Sequence, residues 1–267
     1  MMSTQTVGND PLVLIHGLKN QYRWSNSFIK TLAQHWNGSI FIIFTTLSSP
    51  IQTQLYNGKT VVTIGQNNYR AGTKSIKVQT ARVAEKIRLL QQYCGLSRKF
   101  HLIGHSMGGL ISRKYAYDHP GIVKNIVTLG TPHQGTPLTD RFFWIGWIAG
   151  GLPAFRDLTT NSLTLFNKVY PPAWTPLQVG GEILTMRGIT KGLICKKWGS
   201  MGEELIGWYS MRLHDNIKKS DGLVPASAAV MQGARHIADF PGDDHMALVR
   251  KPQVAREITW HLNAQQR

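Results

Sequence analysis

The chain has 267 residues, 42% of them hydrophobic, which is enough to bury the core of one large domain. Its longest apolar stretches, 40–44 and 142–149, fall well short of the roughly 20 residues that span a bilayer, so no transmembrane helix is predicted. The 30 Lys and Arg residues against 14 Asp and Glu give a formal net charge of +16. This charge favours contact with an anionic surface, which could be nucleic acid, anionic lipid or a cell-wall polymer, but a basic face that only meets solvent would account for it as well.

Two cysteines, Cys94 and Cys195, show neither a CxxC pair nor a Cys/His ligand spacing, so we expect no zinc site. The opening residues 1–4 lack the basic segment and apolar run of a secretory signal, which favours a cytoplasmic protein. A secreted protein that had lost its signal would begin in the same way.

The first half of the chain alternates short apolar runs with amphipathic segments. Residues 12–15 and 40–44 are apolar runs that end at turn residues, and they predict two buried strands. Residues 22–36 predict a helix between them. Residues 76–94 predict a longer helix, with Val83, Ile87 and Leu90 on one face and Gly95 at its end.

The second half begins in the same way and then becomes irregular. Strands are predicted over 100–103 and 123–129 around a helix over 107–118, and later strands over 182–189 and 234–240 precede a closing helix over 252–262. Two stretches without a clear period, 136–180 and 190–220, interrupt this order. Alternating strands and helices predict a parallel sheet with helices on both faces. We therefore expect one α/β domain over 1–267 with two insertions.

The sequence Gly-His-Ser-Met-Gly at 104–108 is a G-x-S-x-G pentapeptide that follows a predicted strand and opens a predicted helix. A strand that turns at once into a helix strains the backbone of the central serine and crowds its neighbours, and small residues two positions away relieve the crowding. The serine hydroxyl then stands over the sheet edge, where the N-terminal amides of the new helix also point. The pattern predicts that Ser106 is a nucleophile.

Four motifs resemble those of the α/β-hydrolase family, and in particular its lipase- and esterase-like members. They are Ile-His-Gly-Leu at 15–18, Gly-His-Ser-Met-Gly-Gly at 104–109, Leu-Gly-Thr-Pro-His-Gln-Gly-Thr at 129–136 and Ser-Asp-Gly-Leu-Val-Pro at 220–225. The resemblance covers about 11–262 and implies a mostly parallel sheet with helices on both faces and an inserted cap or lid. The first strand comes almost at the start of the chain, so the family's first two antiparallel edge strands are expected to be missing.

A serine nucleophile needs a base, and the base needs an orienting acid. The family order Ser…Asp/Glu…His, with each residue in a loop after a strand, implies that Asp221 is the acid. An aspartate in this turn would also be accounted for by its local hydrogen bonds alone. Asp140 and Asp157 compete for the role, because some lipases take their acid after the preceding strand.

The resemblance implies that His245 is the base, because it follows the last predicted strand and a Gly-Asp-Asp turn, just before the closing helix. His236 lies inside a predicted strand and is expected to be packed or on the surface. His214 precedes the acid and violates the order. Three further histidines belong to the motifs and are expected to shape loops without taking the proton: His16, His105 and His133.

The resemblance implies an oxyanion hole made by the backbone amides of Leu18 and Met107, whose side chains would only shape the pocket. The first insertion, 136–180, is the candidate cap or lid. It carries large apolar side chains that would suit an acyl chain or a lipid interface, or that could simply pack the cap on the core. The residues in question are Phe142, Phe143, Trp144 and Trp147.

Together these features predict a serine hydrolase that cleaves carboxylic esters, a lipase or esterase that needs no cofactor. Acyl transfer or thioester hydrolysis by the same triad is the nearer alternative, and a non-catalytic binding protein on a hydrolase scaffold is the farther one. No nucleotide or nucleic-acid motif is present, and the adjacent pair Asp243 and Asp244 is only a weak indication of calcium, so no metal site is predicted. The partner is expected to be a small-molecule or lipid ester, with possible peripheral contact with anionic lipid.

Overall fold

The structure, a computed structural model, describes residues 9–18, 24–68, 70–142, 151–192 and 203–265, with the side chains of 203–205 left out. Within these ranges the strands form one eight-stranded sheet in the order β3-β4-β2-β1-β5-β6-β7-β8, and every neighbouring pair is parallel except β3 with β4. The strands are β1 (Leu12–Ile15), β2 (Ile40–Ile43), β3 (Ile51–Tyr56), β4 (Lys59–Ile64), β5 (Phe100–His105), β6 (Val123–Leu129), β7 (Ile183–Ile189) and β8 (Arg235–Pro241).

Helices connect the parallel strands and cover both faces of the sheet. Two of them begin at serines whose side chains accept a backbone N–H of the first turn, Ser25 from Phe28 at 3.1 Å and Ser75 from Val78 at 3.3 Å. The described helices are α1 (Asn26–His35), α2 (Ile76–Tyr93), α3 (Met107–Asp118), α4 (Pro137–Arg141), α5 (Leu152–Asp157), α6 (Thr160–Val169), α7 (Glu203–His214) and α8 (Pro252–Ala264). Within the described residues, none combines the length and apolarity needed to cross a bilayer.

The core has two layers, one on each face of the sheet. Leu12 and Leu14 of β1 lie in the apolar cluster that includes residues of α1 and α8, whereas Val13 and Ile15 lie in the cluster that includes residues of α2 and α3. All four are buried, because successive side chains of a strand point to opposite faces. A strand covered on both faces therefore reads as an unbroken apolar run. The expected mostly parallel sheet with helices on both faces is confirmed.

One edge of the sheet is a hairpin that the sequence analysis missed. Strands β3 and β4 are joined by Asn57 and Gly58, both with positive φ (48° and 77°), as a two-residue hairpin turn requires. The side chains of β3 from Ile51 to Leu55 are exposed, so the strand lacks the apolar run that marks a buried one. The sequence analysis expected no strands beyond β2 at this edge. The hairpin adds two, and the one next to β2, which is β4, runs parallel to β2.

The two stretches predicted to be irregular contain helices, which corrects that prediction. Residues 136–180 hold α4, α5 and α6 and a short 3-10 turn at Pro172–Trp174, and residues 190–220 hold α7. Helices α4 and α5 have only five and six residues, and proline stands in the first turn of each, so they are too brief to display a helical period. The predicted helix 22–36 begins later, at Asn26, after its Ser25 cap.

Candidate active site

Ser106 lies in the turn between β5 and α3 with strained backbone geometry. Its φ of 54° is positive, which is rare for a residue with a side chain, and its ψ is −127°. The turn is so tight that a methyl group at Gly104 would lie 2.5 Å from the backbone nitrogen of Gly109. The Ser106 N–H donates to the carbonyl of Leu129 at the end of β6, at 2.8 Å. The sequence-predicted elbow is thus present, with its serine held at the carboxyl ends of two neighbouring strands.

Asp221 and His245 form a buried hydrogen-bonded pair. His245 Nδ1 lies 2.7 Å from Asp221 Oδ2, and both side chains are 1% exposed. The other carboxylate oxygen accepts the N–H groups of Leu223 (3.0 Å) and Val224 (2.8 Å). The backbone N–H of His245 also donates to the carbonyl of Asp221, at 2.8 Å. With the carboxylate ionised, Nδ1 carries the ring proton, so the lone pair of the neutral imidazole is on Nε2.

The hydrogen-bonded pair of Asp221 and His245 lies beside the strand that carries Ser106. The rings of His245 and His105, the residue before Ser106, have centroids 4.5 Å apart, and His105 Nε2–H donates to the carbonyl of His245 at 3.1 Å. A methyl group at Gly130, just after β6, would lie 2.8 Å from Asp221 Oδ2. Residues from three distant parts of the chain therefore meet at the carboxyl ends of β5 and β6, where ligands of open α/β sheets bind.

The loop after β1 passes directly over the serine. A methyl group at Gly17 would lie 2.6 Å from Ser106 Cβ and 3.2 Å from its Oγ, so only glycine allows this approach. Leu18 follows Gly17 in this loop, and Met107 follows Ser106. The two segments expected to form the oxyanion hole therefore meet beside Ser106. The start of α5 lies beside the loop as well, because a methyl group at Gly151 would be 3.8 Å from Leu18 Cδ1.

A buried polar chain that the sequence analysis did not foresee links these two segments. His16 Nδ1–H donates to the Gly17 carbonyl at 2.6 Å, and its Nε2 accepts the N–H of Thr45 at 2.9 Å. The Thr45 hydroxyl donates to Gln79 Oε1 at 2.8 Å, and Gln79 Nε2 lies 3.4 Å from the sulfur of Met107. Gln79 is buried on α2, four residues before Val83 on its apolar face. A polar residue on this apolar face was the one sequence signal that could have indicated the buried polar chain.

The competing residues have other partners. Asp140 accepts the hydroxyl of Thr160 at 2.7 Å, which joins two parts of the stretch between β6 and β7. Asp157 accepts the N–H of Ile76 at 2.6 Å, which joins that stretch to the start of α2. His236 is exposed on β8 and bonds Asp239 at 2.9 Å, as expected for a surface residue. His214 is exposed at the end of α7.

The two acidic residues beside His245 are engaged by the protein itself. Asp243 pairs with Lys251, and Asp244 accepts the N–H of Ala247 at 2.7 Å. Burial raises the pKa of Asp244 above its ordinary value. Across the described ranges, no three His, Cys, Asp or Glu side chains come together in a way that would hold a metal ion.

The described part of the stretch between β6 and β7 is anchored to the core. Ala154 and Leu158, from α5 and its end, and Leu163 of α6 belong to the same apolar cluster as Met107. Phe142, at the end of α4, is half-buried. The other aromatic residues proposed to contact substrate lie outside the described residues: Phe143, Trp144 and Trp147.

Comparison with known proteins finds similarity to lipases in both sequence and structure. Two triacylglycerol lipases, from Pseudarthrobacter phenanthrenivorans and Burkholderia plantarii, are each 28% identical to this chain over 132 residues. The alignments cover 49% of this chain and 35% and 31% of those proteins, so the chain matches about a third of the length of these relatives. Among solved structures, the mature form of Bacillus licheniformis lipase BlEst2 superposes with a TM-score of 0.66 at 21% identity, covering 96% of this chain and 92% of that one.

The family resemblance is also found by a sequence profile. The profile of the alpha/beta hydrolase fold matches residues 10–150, more than half of the chain. This range includes the loop after β1 and the serine elbow. The chain therefore belongs to the α/β hydrolase fold family.

Proposed function

We propose that this chain is a serine-dependent carboxylic ester hydrolase of the lipase or esterase type. The observation that carries the proposal is the buried 2.7 Å bond between Asp221 and His245 at the strand ends that also hold the strained Ser106. The similarity to two triacylglycerol lipases supports the same reaction class. A nucleophile, a base and an orienting acid in this arrangement are the parts that acyl transfer through a covalent intermediate requires.

In the proposed mechanism, His245 Nε2 takes the proton of the Ser106 hydroxyl as the oxygen attacks the ester carbonyl. Asp221 accepts from Nδ1–H and stabilises the imidazolium that forms. The ring then gives its proton to the leaving alcohol, which departs and leaves an acyl-serine. Water attacks the acyl group with the same base, and the acid is released.

The negative oxygen of each tetrahedral intermediate would be held by the backbone N–H groups of Leu18 and Met107. Such donors act without a net charge, and the loss of one costs about 3 kcal/mol of transition-state stabilisation. Gly17 supports this role, because its lack of a side chain lets the loop approach Ser106. The polar chain through His16 and Gln79 would hold both segments in place.

We propose that the insertion over 136–180 caps the site and contacts the acyl group. The start of α5 beside Leu18 supports this position, and the apolar residues Phe142, Phe143, Trp144 and Trp147 supply the chemistry that an acyl chain needs. The insertion over 190–220 would add to the cap, because α7 packs on the acid loop: a methyl group at Gly207 would lie 2.1 Å from the carbonyl of Gly222.

The test is hydrolysis of p-nitrophenyl esters from acetate to palmitate by the wild type, Ser106→Ala and a control, Ser227→Ala, an exposed serine. Activity lost only in Ser106→Ala is expected, and a maximum at long chains would support acyl contact by the cap. Products formed with added alcohol would indicate acyl transfer, and cleavage confined to thioesters would indicate a thioesterase. Hydrolysis of the esters by Ser106→Ala at the wild-type rate would contradict the proposal.

We also propose that the chain contacts anionic lipid. Helix α7 presents Ile206, Tyr209 and Leu213 to solvent (64%, 42% and 75% exposed), and a formal net charge of +16 complements an anionic surface. Binding to phosphatidylglycerol vesicles should weaken with added salt and with Leu213→Ser, whereas Leu165→Ser, an exposed leucine of α6, should leave it unchanged. Equal binding to neutral phosphatidylcholine vesicles, or binding that does not depend on salt, would contradict the proposal.

A further inference from the structure

Strand β3 forms one edge of the sheet, and no other described strand pairs with its outer side. The carbonyl of Pro50 accepts the N–H of Gly65 at 2.9 Å, which sets the alternation: even-numbered residues of this segment bond β4. The backbone N–H and C=O groups of the odd-numbered residues therefore point away from β4. These residues are Ile51, Thr53 and Leu55. They offer a row of donors and acceptors on which another strand can pair.

The outward residues of β3 also expose apolar side chains. Ile51 and Leu55 are 41% and 68% exposed, and Leu47, just before the strand, is 82% exposed. Ile51 stands opposite Ile64 of β4 and so shares its face of the sheet. Ile64 is fully buried in the apolar cluster that includes residues of α2. The apolar layer on this face of the sheet therefore continues onto the last strand and ends there at solvent.

The opposite edge of the sheet, β8, differs from β3 in ways that hinder pairing. It carries Arg235 and Asp239, which form ion pairs, and its register against β7 is broken by an irregularity. Charges and bulges are devices by which proteins keep an edge strand from pairing with another chain. Strand β3 reads Ile-Gln-Thr-Gln-Leu-Tyr, without a charge or a proline, and its register against β4 is unbroken. Only β3 is thus left open to pairing among the two described edges.

We propose that β3 pairs with β3 of a second copy of this chain, antiparallel and about a twofold axis at Thr53. In this register Thr53 lies opposite its own copy, and Ile51 lies opposite Leu55 of the other chain. Every outward backbone group of the strand is then bonded, and apolar side chains meet across the axis. The uncharged strand offers nothing complementary to a charged partner, whereas its own sequence complements itself. Because β8 is protected, the assembly closes as a dimer.

The proposed interface is small and leaves the candidate active site open. Strand β3 has 6 residues, against the roughly 20–30 residues a side of a standard interface, so we expect association at micromolar concentrations. The net charge of +16 on each copy opposes association, and added salt should therefore strengthen it. An antiparallel pair reverses strand direction across the axis, so the carboxyl ends of β5 and β6 face opposite ways in the two copies. Ester hydrolysis should not depend on dimerisation.

The first test is sedimentation velocity over a range of protein and salt concentrations. The wild type should convert from monomer to a species of twice the mass, more readily at high salt. Leu55→Lys should weaken association by more than about tenfold, because it buries a charge in the interface, and should keep ester hydrolysis. Leu165→Lys, at a leucine of α6 that is 63% exposed, should associate like the wild type. A wild type that stays monomeric, equal association of Leu55→Lys, or growth beyond a dimer would overturn the proposal.

The second test probes the register by disulfide cross-linking, in a chain whose Cys94 and Cys195 are replaced by serine. Thr53→Cys places two thiols on residues directly opposite each other, with Cα atoms about 5.5 Å apart, a distance that a disulfide spans. Leu55→Cys is the matched control, because its two copies would lie more than about 13 Å apart along the strands. We expect a cross-linked dimer from Thr53→Cys alone. Equal cross-linking of both variants, or of neither, would overturn the proposal.

Discussion

Substitution of Asp221 by asparagine should inactivate the chain without unfolding it. The carboxylate has two distinct tasks: Oδ2 accepts from His245 Nδ1 at 2.7 Å, and Oδ1 accepts from Leu223 N and Val224 N. Asparagine has the same shape, and its one oxygen will stay with the two amides, which can only donate. Its NH2 group then faces Nδ1 and donates to it.

This reversal forces the ring proton of His245 onto Nε2, the atom that should take the proton of Ser106. Activity should fall by about 10⁴-fold, the size of effect seen when the orienting aspartate of another serine hydrolase is replaced in this way. That factor corresponds to about 5–6 kcal/mol of transition-state stabilisation, at about 1.4 kcal/mol for each tenfold change.

The assay is kcat/KM with a p-nitrophenyl ester, accompanied by circular dichroism and a thermal melt of each variant. Asp157→Asn and Asp140→Asn are the matched controls, because they are the competing acids and make only structural bonds. They should alter the melting temperature and keep kcat/KM within about threefold, since remote substitutions act mainly on stability. The reasoning is refuted if Asp221→Asn retains a tenth of wild-type activity, or if Asp157→Asn loses as much.

Three further changes test other parts of the account. Gln79→Leu should lower kcat about tenfold with little change in KM, because it cuts the polar chain that holds the oxyanion segments; an unchanged kcat would contradict this. Gly17→Ala should lower activity by more than tenfold, because its methyl group would lie 2.6 Å from Ser106 Cβ. Burial lowers the pKa of Lys86 to about 8 from 10.5, so the unfolded chain binds more protons between these values and stability rises with pH there. Urea unfolding at pH 7 and pH 10 should show about 2 kcal/mol of this rise in the wild type and not in Lys86→Met.

The buried parallel strands could be read from the sequence, and the exposed edge could not. The predicted bounds of β1, β6 and α3 agree with the structure, because an apolar run between turns or a helix between a strand and a Pro-Gly turn leaves few alternatives. Most side chains of strand β3 are exposed, so the strand has no buried apolar run from which it could be predicted. The Asn57-Gly58 pair was nevertheless a sequence signal for a hairpin turn.

In the candidate site, the features set by neighbouring residues in the sequence could be predicted, and those set by the packing of distant elements could not. The elbow at Ser106 follows from five consecutive residues, and the order of acid and base followed from the family resemblance. The link through Thr45 and Gln79 could not be derived, because it depends on how α2 packs against the end of β2.

The central claim is that Ser106 is the nucleophile activated by His245 and Asp221. Reaction with a fluorophosphonate, followed by mass spectrometry of the tryptic peptides, tests it most directly, because the reagent forms a stable adduct only with an activated serine. The account predicts an adduct on Ser106 that appears in step with the loss of ester hydrolysis and forms far more slowly in Asp221→Asn. An adduct on a different serine, or full ester hydrolysis in protein labelled at Ser106, would contradict it.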